Sequence, residues 1–251
     1  MAEQKKTILK VDDINVYYGS IHAIKGVSFE VSEGEIVTLI GANGAGKSTT
    51  LRAISGLVKT ASGAINFLGR DIIPFNAQQV VAEGIAMVPE GRRVFDNLTV
   101  KENLEFMARL YGFGKEKTAE RVNRTVADFH LEEVLDQRAG TLSGGWKRKL
   151  SIAMALIGEP SVLFLDEPTL GLDVLARREL WRVIEAMKGS LTIVLTTHYM
   201  EEEEHLSDRL GIMISGRIAA CGTLQEILEL TGKTTLEDAF VAIAEGEVTE
   251  E

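Results

Sequence analysis

The sequence predicts an α/β fold in which helices flank a parallel sheet. Three observations predict it. After residue 146 the pattern runs helix, strand, helix, strand. A short apolar strand at residues 35–40 leads straight into a glycine-rich turn and a helix. A charged, helix-patterned stretch at residues 100–140 separates these two parts.

The elements follow in order. Residues 7–31 alternate apolar and polar around Tyr17-Tyr18-Gly19, which predicts antiparallel strands. After the strand at 35–40, residues 48–54 read as a helix. Residues 64–68 and 85–88 read as further strands. Gly112-Phe113-Gly114 breaks the helical stretch. Strands are predicted at 162–165, 192–196 and 211–214, and a last short helix at 238–244.

Composition narrows the class of protein. With 251 residues, 45% hydrophobic and 25% charged, the chain suits a soluble globular protein of one large domain with subdomains. No apolar run is long enough to cross a membrane. Met1-Ala2-Glu3-Gln4-Lys5-Lys6 lacks the apolar stretch of a secretory leader. The single cysteine, Cys221, excludes a disulfide framework and cysteine-rich zinc sites, and the cytoplasm is the expected address. A net charge of −10 argues against broad nucleic-acid binding. The acidic run at 201–204 reads as a solvated helix face, and the acidic stretch at 245–251 as a frayed tail.

Gly41-Ala42-Asn43-Gly44-Ala45-Gly46-Lys47-Ser48 fits G-x-x-x-x-G-K-[ST], with Thr49 following. Glycines there let backbone N–H groups turn inward onto phosphate oxygens. The helix that follows aims its positive end at the same charge. Lys47 is placed to reach the β- and γ-phosphates of a nucleotide, and the Ser48 hydroxyl to ligate Mg²⁺. The pattern defines a P-loop NTPase. Farther along, Ser161-Val162-Leu163-Phe164-Leu165-Asp166-Glu167-Pro168 is an apolar strand ending in two acids. A strand end is where open α/β sheets bind ligands. Asp166 is expected to hold Mg²⁺ and Glu167 to polarise the attacking water as general base. His198 follows another apolar strand, so it converges on the same edge.

Leu142-Ser143-Gly144-Gly145-Trp146, upstream of Asp166, completes a set whose order and spacing resemble the ATP-binding cassette (ABC) family over roughly residues 8–244. The resemblance implies a RecA-like core, an antiparallel β-subdomain and a helical subdomain. The core and β-subdomain are expected at about 1–100 and 141–251, the helical subdomain at about 101–140. It also implies a head-to-tail dimer, of two copies or with a paired ABC ATPase, enclosing two ATP. Each ATP would lie between the phosphate loop of one copy and Ser143, Gly144 and Gly145 of the other. By the same resemblance Tyr18 stacks on adenine and Asp173, in Gly171-Leu172-Asp173, crosses the interface. Lys47, Glu167 and His198 serve catalysis, with His198 on the γ-phosphate. Transmembrane permease subunits would bind the chain to the inner face of the membrane.

Two positions depart from the family pattern. Glu90 stands where glutamine usually senses Mg²⁺ and the membrane partner, and is still placed to approach Mg²⁺ through water. Trp146 replaces the glutamine that closes the signature. The front of the chain, including Met87-Val88-Pro89-Glu90-Gly91-Arg92-Arg93-Val94-Phe95, resembles ATPases of branched-chain amino-acid importers. The back, including Thr196-Thr197-His198-Tyr199-Met200, resembles ATPases of single-cassette exporters. The exporter type is favoured because His198 is present and the ending is of that type. A soluble ABC protein of translation or repair fits less well, since those carry two cassettes or long inserted coiled coils. Arg92, Arg93 and Phe95 fall where the surface for the membrane partner is expected.

Overall fold

The structure is a computed structural model and describes residues 6–91 and 93–246. Strands β1 (Thr7–Tyr18) and β2 (Ile21–Ser32) form an antiparallel hairpin. β3 (Ile36–Ile40) is buried at every residue and leads into α1 (Lys47–Ile54). β4 (Ser62–Phe67) and β5 (Arg70–Asp71) follow, then α2 (Ala77–Glu83) and β6 (Ile85–Val88). α3 (Val100–Leu110) and α4 (Lys115–Phe129) pack on each other, split where Gly112 sits at φ 78. Two 3₁₀ turns lead to α5 (Gly144–Leu156), capped by Ser143. Then come β7 (Val162–Asp166), α6 (Val174–Ala186), β8 (Thr192–Thr197) and α7 (Met200–Leu206). β9 (Arg209–Ile214), β10 (Arg217–Gly222), α8 (Leu224–Thr231) and α9 (Leu236–Ala244) complete the described chain.

Two sheets result. One is antiparallel, in the order β2-β1-β4-β5. The other runs β10-β9-β3-β8-β7-β6 and is parallel except for the edge strand β10. The period-2 alternation of strands feeds two large core clusters, and a third forms where Ile40, Leu210 and Ile212 pack with α8 and α9. Ile36, Leu163, Leu165, Ile193 and Leu195 pack with the helices α3–α6. Val37, Leu39, Val162, Phe164 and Val194 pack with the antiparallel sheet. The parallel sheet is thus covered on both faces, which explains its continuous apolar strands.

Several elements escape the sequence pattern. α2 begins with a capping box in which Asn76 and Gln79 exchange hydrogen bonds, a local signal followed by only one fully buried position, Val80. β10 follows Ser215 and Gly216, which sit at φ 49 and 85, the positive-φ pair a tight hairpin turn needs. β5 and α8 were likewise not expected from periodicity.

One expectation is corrected. Only Glu201 and Glu204 of the acidic run face solvent, whereas Glu202 and Glu203 are 0% and 2% exposed. α7 is wedged against α6, β3 and β8, so its inward face has no access to water. Of the acidic stretch at 245–251, residues 247–251 lie outside the described residues.

Candidate functional site

The phosphate loop joins the end of β3 to α1. Gly46 takes φ 109, and a Cβ there would meet Ile24 Cδ1 at 2.6 Å. At Gly41 a Cβ would lie 2.5 Å from the Met213 carbonyl of β9. The loop is therefore closed down onto its neighbours in a way only glycine allows. Lys47 Nζ donates to the Gly41 carbonyl at 2.7 Å and lies 3.3 Å from Glu167 Oε1. Its side chain is 5% exposed, and its ammonium is held by the loop and by the acid it faces.

β7 delivers Asp166 beside α1. Asp166 is fully buried, and its Oδ1 accepts from Ser48 Oγ at 2.7 Å and Thr196 Oγ1 at 2.8 Å. Its Oδ2 is buried with no hydrogen-bond partner, with Arg52 the nearest cation at 3.8 Å. A buried carboxylate oxygen without a donor is costly unless something else satisfies it. Together with the Ser48 hydroxyl it forms the hard oxygen set that suits Mg²⁺. Among the described residues no group of three or more His, Cys, Asp or Glu could hold a metal. A Mg²⁺ here would need phosphate oxygens and water to complete its shell.

Glu167 sits at φ 47, with its N–H donating to Thr196 Oγ1 at 3.0 Å. Its carboxylate lies between Lys47 and His198, whose Nδ1 is 2.8 Å from Oε2. His198 stands just past the end of β8, so β7 and β8, paired in parallel, bring the two groups together. The Tyr199 ring packs on the His198 ring at 4.2 Å, and Arg177 lies over Tyr199 at 4.5 Å.

Lys47, Glu167 and His198 line a cleft of about 440 Å³ with Ala23, Asn43, Gly44, Ala45, Gly46, Ser48, Thr49, Glu90 and Leu170, and Asp166 lies buried behind Ser48. The remaining candidates lie elsewhere. Tyr18 is half-exposed at the end of β1 and does not line the cleft. Ser143 caps α5, and Gly145 packs close to Ala176 at the start of α6. Asp173 caps α6 by accepting from the N–H groups of Leu175 and Ala176, each at 3.0 Å. The Trp146 ring is half-buried and carries Lys149 Nζ 4.7 Å above it.

Sequence reading missed four contributors: Thr196, Arg52, Arg148 and Glu202. Glu202 accepts from Thr169 Oγ1 and Trp181 Nε1, each at 3.2 Å. Burial pushes its carboxyl above the usual range. It thereby ties the turn after Glu167 to α6.

A separate groove of about 830 Å³ lies among α2, β6, α3 and α5. Its walls include Val81, Met87, Phe95, Leu110, Tyr111 and Met154, with Arg93 at the side. Arg93 and Phe95 therefore share this groove. Arg92 lies outside the described residues.

A parallel sheet with a glycine-rich phosphate loop, a buried strand-end aspartate and an adjacent glutamate defines a P-loop nucleotide hydrolase. The ABC transporter family matches residues 24–170, more than half of the chain, and the chain belongs to that family. It is an ATP-binding, ATP-hydrolysing domain of that family.

The relatives fall on both sides of the membrane question. The human phospholipid-transporting ATPase ABCA3 is 41% identical over 80% of this chain, and the match takes up only 12% of that protein's length. The high-affinity branched-chain amino acid transport ATP-binding protein BraG of Pseudomonas aeruginosa is 41% identical over 84% of this chain and 91% of its own. The Nod factor export ATP-binding protein I of Rhizobium etli is 41% identical over 92% of this chain and 73% of its own. Among solved structures, cbiO1 of Clostridium perfringens, part of the transporter complex cbiONQ, superposes with a TM-score of 0.82. It is 30% identical over 90% of this chain and 92% of its own.

Proposed function

We propose that this chain powers an exporter. Two copies, or one copy and a paired ABC ATPase, would close head to tail around two ATP on the inner face of a membrane and drive separate permease subunits. The observation that carries the catalytic part is the Glu167 carboxylate, held between Lys47 at 3.3 Å and His198 at 2.8 Å. That placement suits a general base beside a γ-phosphate. Lys47 would exchange Glu167 and its loop carbonyls for phosphate oxygens when ATP enters. The freed Glu167 would orient water, and His198 would hold the γ-phosphate. Ser48 and Asp166, with Glu90 facing the same cleft, would hold Mg²⁺, which supplies charge neutralisation on the β- and γ-phosphates.

The dimer is supported by what one copy leaves unused. Ser143, Gly144 and Gly145 form an anion cradle at a helix start and do not line this chain's own cleft. Beside them Leu170, Val174 and Leu175 are exposed next to Asp173, apolar surface that a second copy would cover. Tyr18 would stack on adenine at the open end of the cleft. The apolar groove holding Phe95 and Arg93 would take a segment of a permease. Among the described residues no helix is long and apolar enough to cross a membrane, so the span would come from that permease.

Export is favoured because the match to the Rhizobium export protein extends over 92% of the chain. Import is the second reading, and what supports it is that the match to BraG takes up 91% of that protein's length. The test is to purify tagged Glu167→Gln protein with Mg-ATP from detergent-solubilised membranes of the source cell and identify its companions. One permease chain without a second ATPase is expected. Two permeases, a second ATPase and a solute-binding protein would point to import instead. Absence of any membrane protein would overturn the transport reading.

A further inference from the structure

Arg148 lies in α5, a little over one turn past Ser143, and is only 3% exposed although Lys147 and Lys149 flank it. Its guanidinium reaches four carbonyls. Nη1 donates to Pro89 O and Gly91 O, both at 2.9 Å. Nε donates to Pro168 O at 2.8 Å, and Nη2 to Asp166 O at 2.9 Å. Pro89 and Gly91 stand on either side of Glu90. Asp166 and Pro168 stand on either side of Glu167. One side chain therefore brackets both carboxylates of the cleft through the backbone that carries them.

The surroundings fit that arrangement. Glu90, Gly91, Glu167 and Arg148 share the wall of a second cavity of about 280 Å³. One bracketed segment holds unusual backbone, with the non-glycine residue Glu167 at φ 47. Backbone of that kind persists only where its neighbours determine it. A guanidinium offers five donors in a rigid planar fork, so four carbonyls from two loops can be held at fixed spacing. A lysine ammonium on a flexible stem cannot span them all.

We propose that Arg148 is a positioning residue that makes the start of α5, Glu90 and Glu167 move as one body. Closure on Ser143, Gly144 and Gly145 then shifts both carboxylates together. The inference rests on the roles given above to Glu167 and to the α5 start.

The test uses the purified full-length chain and its variants Arg148→Lys and Glu167→Gln. Three quantities are measured: kcat and KM for ATP, equilibrium binding of a fluorescent ATP analogue, and the melting temperature. The phosphate loop is untouched in Arg148→Lys, so analogue affinity and KM are expected within about threefold of the parent. The expected loss is in kcat, by about thirtyfold or more, in protein that still melts cooperatively. A purely structural role would lower kcat, affinity and melting temperature together, and that pattern overturns the proposal. So does parental kcat in Arg148→Lys while Glu167→Gln is inactive. Full turnover in Glu167→Gln would instead remove the role of Glu167 and this proposal with it.

Discussion

Glu203→Gln should flatten the dependence of stability on pH. Glu203 is 2% exposed, and its Oε2 has no hydrogen-bond partner. Burial first, and then repulsion from Glu204, pushes its carboxyl from an ordinary 4.5 up to about 7. Between those values the folded chain keeps a proton that the unfolded chain has released. Folding stability therefore falls as pH rises through that window and stays low above it. At about 1.4 kcal/mol per pH unit, the loss across the window is about 3 kcal/mol. Glutamine keeps the shape and cannot ionise, so the variant should lack this slope. The assay is urea unfolding followed by circular dichroism at several pH values from about 5 to 8. The quantity compared is the difference between the two stability profiles. A difference of about 3 kcal/mol that opens with rising pH is expected. Profiles that run parallel would refute the reasoning.

Three further outcomes follow from the packing. Gly41→Ala places a methyl 2.5 Å from the Met213 carbonyl, so the loop must shift; ATP-analogue affinity should drop about tenfold or more in a fluorescence titration. Trp181→Phe removes the Nε1–H that Glu202 accepts and leaves part of a buried carboxyl unpaired. Urea midpoints should show a loss of about 1–3 kcal/mol, with analogue binding retained. Phe164→Ala empties a fully buried site between the two sheets and should cost about 3–5 kcal/mol by the same method.

The parts of the molecule that were legible in the sequence are those whose signal is local. The phosphate loop needs glycine, lysine and serine at set spacing, and β3, β7 and β8 are apolar because both faces of their sheet are covered. His198 and Glu167 each end an apolar strand, and the parallel pairing of those strands brings them together. The residues missed or misread take their meaning from distant parts of the chain. Arg148 sits in Lys147-Arg148-Lys149, which by itself reads as a solvated helix face, and only the carbonyls of Pro89, Gly91, Asp166 and Pro168 make it a buried group. Glu202 and Glu203 likewise share a run with Glu201 and Glu204. Which of the four face inward depends on how α7 meets α6 and the sheet. Thr196 is one more apolar-strand residue until Asp166 arrives beside it.

The order of the parallel sheet also bears on how the chain is born. β3 emerges early, yet its two neighbours are β8 and β9, with Ile36 opposite Ile193 and Val37 opposite Arg209. Until that late part has been synthesised, β3 has two open edges, and the Met213 backbone that backs Gly41 does not exist. Such distant pairings fold slowly and leave apolar edges open to wrong partners in the meantime. Nascent chains stalled before residue 209 should therefore lack ATP affinity, and the cell must shelter an unfinished sheet through most of the chain's translation.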